Sequence, residues 1–124
     1  MRYAILELKN QIEDLENNLN NLNEMSNGNV IITGFKAIMS NLVGVYQNLS
    51  KSDFNRKNKY MKQLKSILNS LVKVDQKICG EMGVNDSASM LMGQRENFKN
   101  LKKVLTFIEK ASLMEVYQCK YFQK

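Results

Sequence analysis

A seam of aliphatic residues near the N-terminus constrains the fold of this chain more than any other feature. Three and four residues alternately separate its six members, which are Ile5, Leu8, Ile12, Leu15, Leu19 and Leu22. This spacing places them at positions a and d of three heptads, on one narrow stripe of a helix of about 24 residues. An isolated helix of this length is only marginally stable in water. The seam must therefore pair, either with a partner helix or a second copy of the chain, or in cis with the remaining residues.

The rest of the chain is also helical in pattern. Residues 26–29, Ser-Asn-Gly-Asn, favour a break after the first helix. Apolar residues then recur at helical spacing over about 31–49, about 53–82 (with Ser52 as N-cap) and about 95–120, with a short helix near 86–92. No proline interrupts these segments. We therefore predict an all-α fold of four or five helices, in which residues 1–25 form a coiled-coil-like arm and residues 30–124 a small, basic helical bundle.

The residue types remove most catalytic chemistry. The chain contains no His and only two Cys, Cys79 and Cys119. Without an imidazole neither a Ser-His-Asp nor a Cys-His nucleophile can form, and two cysteines cannot build a structural zinc site. No Gly-rich phosphate loop of the required form occurs. We expect a protein that is not an enzyme, with no catalytic residue, metal, cofactor or small-molecule substrate.

The cysteine count and the hydropathy pattern favour a cytoplasmic location. Two cysteines 40 positions apart do not resemble a secreted disulfide framework. The N-terminal residues lack the pattern of a signal peptide, and no continuous apolar run is long enough to span a bilayer. We therefore expect no role for a membrane.

Charge is distributed unevenly along the chain. Residues 1–25 hold two basic and five acidic residues, whereas residues 26–124 hold sixteen basic and seven acidic ones, for a net charge of +6. The start of the third predicted helix is especially basic, and its candidate phosphate contacts are Arg56, Lys57, Lys59 and Lys62. Such a basic body is typical of proteins that bind DNA or another polyanion, although a solvated lysine-rich surface has the same composition.

Residues about 74–93 resemble the helix-turn-helix segment of DNA-binding proteins. Cys79 stands where the first helix needs a small residue, Gly83 stands four positions later where the turn needs positive φ, and apolar Val84 follows. The resemblance implies a set of base or groove contacts and a set of phosphate contacts. The first set is Asn85, Ser87, Ser89 and Gln94, and the second is Arg95 and Lys99. An ordinary corner between two helices of a bundle satisfies the same pattern.

The same stretch also resembles the C-terminal part of phage terminase small subunits. In those proteins a Lys/Leu-rich helix runs into a Glu-hydrophobic-Gly-hydrophobic turn, and residues 64–84 follow this outline with Glu81-Met82-Gly83-Val84 as the turn. This resemblance implies an oligomeric DNA-packaging component without catalytic residues of its own.

These observations favour one function and leave a second open. The first is a non-catalytic, self-associating helical protein whose basic body binds DNA or another polyanion, in a regulatory or phage-packaging setting. The alternative is a protein-interaction module, such as an adaptor, chaperone, inhibitor or structural subunit, that acts through its N-terminal arm and has no nucleic-acid role. We expect the arm to pair with a second copy or with a partner helix, and the sequence leaves open whether it packs in cis instead.

Overall fold

Five helices make up the described part of the chain, and no strand occurs there. The computed structural model describes residues 2–21, 27–52, 57–78 and 83–122, and within these ranges it leaves out the side chains of residues 27, 28, 85 and 112–122. The helices are α1 (Arg2–Asn20), α2 (Asn27–Lys51), α3 (Lys57–Ile78), α4 (Val84–Met92) and α5 (Arg95–Phe122). The prediction of an all-α fold with a helical bundle is confirmed.

Four of the helices form the sides of a bundle. Going round it, α1 packs against α2, α2 against α3, α3 against α5, and α5 against α1. Asn41 of α2 donates a hydrogen bond to Gln11 of α1 (2.7 Å). Arg95, at the start of α5, donates one to Asn20, at the end of α1 (2.8 Å), so these two helices run antiparallel. Short α4 lies between the end of α3 and the start of α5, and it packs on α2, α1 and α3 at that end of the bundle.

The aliphatic seam of α1 lies inside this bundle. The five seam residues from Ile5 to Leu19 are at most 2% exposed in the single chain, and Leu22 falls outside the described residues. Within the single chain, helix α1 is therefore one wall of the common core. The seam packs in cis in this fold, which is one of the arrangements that the sequence leaves open. In this fold the residues expected to meet a partner are core residues, because the other helices already cover them.

The centre of the core joins helices on opposite sides of the bundle. Phe35 of α2 and Phe98 of α5 are both completely buried, and their rings meet edge to face with centroids 6.3 Å apart. Such aromatic pairs contribute roughly 0.5–1.5 kcal/mol beyond the burial of their area. The two rings thus connect α2 and α5, which lie diagonally opposite each other in the bundle. The aliphatic residues of the neighbouring helices fill the space around the rings.

Polar groups of the connection between α2 and α3 satisfy carbonyls at the end of α2. The hydroxyl of Ser52 donates to the carbonyl of Leu49 (2.8 Å). The predicted role of Ser52 as N-cap of the third helix involves residues 53–56, which lie outside the described residues, so it stays a prediction. Lys57 donates from Nζ to the carbonyl oxygens of Ser50 (3.2 Å) and Ser52 (2.8 Å). A lysine at this position satisfies carbonyls at the end of α2 and complements the negative end of its dipole.

One described helix meets the length and composition of a membrane span. Residues Asn29–Lys51 have a mean hydropathy of 1.2 over their most apolar window. In this fold one side of that helix is core, with Ile31, Phe35 and Leu42 completely buried. Because a core helix passes the same test, this single helix is only a weak indication of a membrane span.

Candidate nucleic-acid interface

The outer side of α3 carries the strongest positive charge of any described helix. The buried residues of α3 recur at helical spacing from Tyr60 to Ile78 and face the core. Opposite them lie five exposed lysines, called here the α3 basic face: Lys59, Lys62, Lys65, Lys73 and Lys77. The eighteen residue steps from the first to the last span about 27 Å along the helix axis. The face is therefore long enough to follow an extended anion.

The charge of the α3 basic face is not neutralised by neighbouring carboxylates. In the described ranges, none of its five ammonium groups forms an ion pair with Asp or Glu. The one carboxylate of α3, Asp75, is half-buried beside Lys36 and Ser40 of α2, away from the basic face. Between the lysines, the exposed residues are polar and uncharged, for example Ser66 and Asn69. As far as the described residues show, the face thus presents positive charge alone.

A second group of basic residues lies in a groove between α1 and α5. The groove has a volume of about 390 Å³. We call it the α1/α5 groove, and its lining consists of Lys9, Glu13, Lys99, Lys102, Lys103, Thr106 and Phe107. Lys102 in this groove forms an ion pair with Glu16, with 2.6 Å between Nζ and Oε1, and this pair links α5 to α1. Phe107 is unusual for an aromatic residue because 53% of it is exposed.

The residues predicted to contact phosphates do not all lie on the same surface. Lys59 and Lys62 lie on the α3 basic face, and Lys99 lies in the α1/α5 groove. Lys57 is instead occupied by the backbone carbonyls at the end of α2. Arg95 is exposed but donates to Asn20. Arg56 lies outside the described residues.

The residues predicted to read bases are not brought together on one exposed surface. Ser87 is 1% exposed, so in this fold its side chain cannot reach a base. Ser89 is exposed, whereas Gln94 accepts a hydrogen bond from Asn97 at 2.7 Å. The side chain of Asn85 is outside the description.

The geometry around α4 also differs from the pattern that suggested a helix-turn-helix. Gly83 precedes α4 with φ −67° and ψ 163°, an extended conformation and not the positive φ expected of the turn glycine. Residues 79–82, which include Cys79, fall outside the described ranges. Helix α4 itself contains Asp86 and no basic residue. In charge, α4 is thus less suited than α3 or α5 to approach DNA, and both family resemblances stay predictions.

Sequence reasoning missed several residues of these two surfaces. The basic stretch of the sequence occupies only the first third of the helix, so it does not include Lys73 and Lys77. Projecting the whole of α3 at 100° per residue would have placed them beside Lys59 and Lys62. Lys103 and Phe107 depend on the contact between α1 and α5, two helices far apart in the chain, and no local signal reveals such a contact.

The described residues also form a groove on the other side of α1, and they hold no cluster of metal-binding side chains. This groove, of about 630 Å³, lies between α1 and α2, and its lining includes Asp14, Asn17, Asn18 and apolar neighbours. No group of three His, Cys, Asp or Glu side chains in the described ranges could hold a metal ion.

Comparisons with protein-family models, with curated proteins and with solved structures gave no match. The class that the fold defines is a four-helix bundle with a short fifth helix at one end. The function must therefore be inferred from this chain's own surfaces.

Proposed function

We propose that this protein is a non-catalytic, cytoplasmic DNA-binding protein of a regulatory or packaging type, and that its α3 basic face contacts the phosphate backbone. The observation that carries the proposal is the row of five exposed lysines along about 27 Å of one helix, with no opposing carboxylate among the described residues. Self-association through the heptad seam is not part of the proposal, because that seam is core.

The dimensions of the face suit a duplex. Double-stranded DNA carries one phosphate per about 1.7 Å of axis, so a 27 Å stripe runs beside roughly 16 phosphates on its two strands. Each lysine therefore has phosphates within reach on the near side of the duplex. Lysine acts as a flexible point charge and carries little sequence information by itself. The proposal accordingly predicts binding that depends strongly on salt and weakly on sequence.

The alternative, a protein-interaction module acting through an N-terminal arm, is less well supported. It requires the α1 seam to be free, yet Leu8 and Ile12 are completely buried within the chain. Exposing the seam would open the core that all the major helices share. A protein partner would have to use another surface.

A pair of matched variants tests the proposal. Lys62→Gln with Lys73→Gln removes two charges from the α3 basic face, whereas Lys51→Gln with Lys110→Gln removes two exposed charges elsewhere. Binding of a labelled duplex is followed by fluorescence anisotropy over about 50–300 mM salt. We expect the first variant to lower the slope of log K against log salt by about 1.8, since each phosphate contact contributes about 0.9. The control should leave the slope unchanged, and an equal effect of both variants would mean that only net charge matters and would refute the assignment.

A further inference from the structure

Among the aromatic side chains that the structure describes, two stand out because they are exposed. Phe35 and Phe98 are completely buried and Tyr60 is 7% exposed. Tyr3 and Phe107, in contrast, are 89% and 53% exposed. Both belong to the same pair of helices, Tyr3 to α1 and Phe107 to α5. At least half of each of these two residues is exposed to solvent, so each ring is available to a ligand.

The surroundings of Phe107 are mainly basic. Phe107 lines the α1/α5 groove together with Lys9, Lys99 and Lys103. Glu13 is the one carboxylate in the lining of that groove. Glu16, which forms an ion pair with Lys102, is not part of the lining. The groove therefore keeps a positive balance beside an exposed ring.

The recess around Tyr3 continues along the same two helices. It has a volume of about 420 Å³ and is lined by Arg2, Tyr3, Leu6 and Glu109. Glu109 follows Phe107 by two positions on α5, and Leu6 precedes Lys9 by three on α1. The two recesses are thus successive parts of one surface, which carries both exposed rings and, besides the paired Lys102, four cationic side chains and two carboxylates. These are Arg2, Lys9, Lys99, Lys103, Glu13 and Glu109.

We infer that this surface binds single-stranded nucleic acid, with bases stacked on Phe107 and Tyr3 and phosphates held by Lys9, Lys99 and Lys103. The inference rests on the proposed function, since it assigns a substrate class to the same polyanion-binding protein. Aromatic rings interleaved with lysines are the arrangement by which proteins hold single strands, because every base has a face that can stack. In a duplex the bases are already stacked on each other, so a surface ring contacts none of them. The α3 basic face, which carries no exposed ring, engages backbone only.

The first test compares strands that differ only in their bases. Anisotropy is measured for a labelled ten-nucleotide oligothymidine and for an abasic strand of the same length, which keeps the sugar-phosphate chain. We expect the intact protein to bind the thymidine strand more tightly. Phe107→Leu keeps an apolar side chain without the flat ring, and we expect it to weaken thymidine binding by roughly 5- to 150-fold and abasic binding by less than twofold.

Matched controls separate stacking from folding and from charge. Val30 is 52% exposed on α2, so Val30→Ala should change binding of neither strand. Lys103→Gln should weaken both strands, because both carry phosphates. Thermal melts of every variant should overlay that of the parent, since the substituted side chains are exposed.

The outcomes distinguish failure of this inference from failure of the proposed function. Equal binding of thymidine and abasic strands, unchanged by Phe107→Leu, overturns the stacking assignment while duplex binding through the α3 basic face stands. Absence of binding to strands and duplex alike overturns both. If a Glu-rich amphipathic peptide binds in a manner that Phe107→Leu abolishes, and the thymidine strand does not bind, the groove belongs to an acidic protein partner and the inference is wrong.

Discussion

Replacing Ile12 by alanine tests whether the α1 seam is core within one chain. Ile12 is completely buried, and the substitution removes three carbon atoms from a site enclosed by the bundle. Lost transfer free energy accounts for about 2.4 kcal/mol at 0.8 kcal/mol per carbon, and the residual cavity raises the cost to about 3–4 kcal/mol. At about 2.1 cal/mol/K per residue, a chain of 124 residues unfolds with an entropy near 0.26 kcal/mol/K. We therefore expect Tm to fall by about 13 °C.

The assay is thermal unfolding followed by circular dichroism at several protein concentrations. Leu6 lies on the same helix but is 51% exposed, so Leu6→Ala is the matched control and should change stability by less than about 0.5 kcal/mol. With the seam paired in cis, Tm of the parent protein is independent of concentration. A Tm that rises with concentration, together with an Ile12→Ala variant that loses an oligomer and not its fold, would refute the reasoning, because it would show that the seam pairs between chains.

Three further predictions concern single residues. Gly44 lies within α2 with open space where a Cβ would be, so Gly44→Ala should raise the free energy of unfolding by about 0.8–1 kcal/mol in urea titrations; a loss of stability would contradict this. The buried hydroxyl of Ser87 has no hydrogen-bond partner in the described structure, so Ser87→Ala should be neutral or stabilising by up to about 1 kcal/mol, and a loss above 1 kcal/mol would reveal a bond that the structure lacks. Lys57→Met should lower the free energy of unfolding by about 0.5–1 kcal/mol, because the hydrogen bonds to the end of α2 are lost. The same variant should bind the duplex with an affinity within twofold of the parent's. A larger loss of affinity would show that Lys57 contacts DNA.

The helices could be predicted from the sequence because their apolar spacing is local. The spacing from Ile5 to Leu19 places one side of α1 in a core, and the same periodicity marks the buried sides of α2, α3 and α5. The spacing does not reveal which other helix packs against the apolar side of a given helix. Burying the α1 seam against a second copy and burying it against α2 and α5 require the same pattern, and only the three-dimensional packing distinguishes them. The contact between Phe35 and Phe98 is another such long-range choice.

Helix ends were harder to predict than helix centres for a physical reason. Residues Asn27, Gly28 and Asn29 are typical of a break, yet they lie in the first turn of α2, where unpaired backbone donors tolerate polar residues and glycine. Ser52 lies just after α2, and its hydroxyl bonds back to the carbonyl of Leu49. Residues of these types suit either side of a helix boundary, so the local sequence does not fix where a helix begins or ends.

The candidate surfaces were predictable only where charge repeats along one helix. Lys59 and Lys62 can be predicted from the sequence, and the remaining α3 lysines follow once the whole helix is projected at 100° per residue. Lys57 illustrates the opposite case, because a basic residue in the same stretch serves the backbone of α2 and not the surface. The α1/α5 groove could not be predicted, since its lysines and Phe107 meet only after residues 9 and 103 are brought together by folding.

The most direct test of the central claim is the salt dependence of duplex binding by the unaltered protein. Five lysines on the α3 basic face, each contacting one phosphate, predict a slope of log K against log salt near −4.5, which means a loss of about 500-fold in affinity between 50 and 200 mM salt. A slope shallower than about −2, or no binding at 50 mM salt, would contradict the claim that this face binds the DNA backbone.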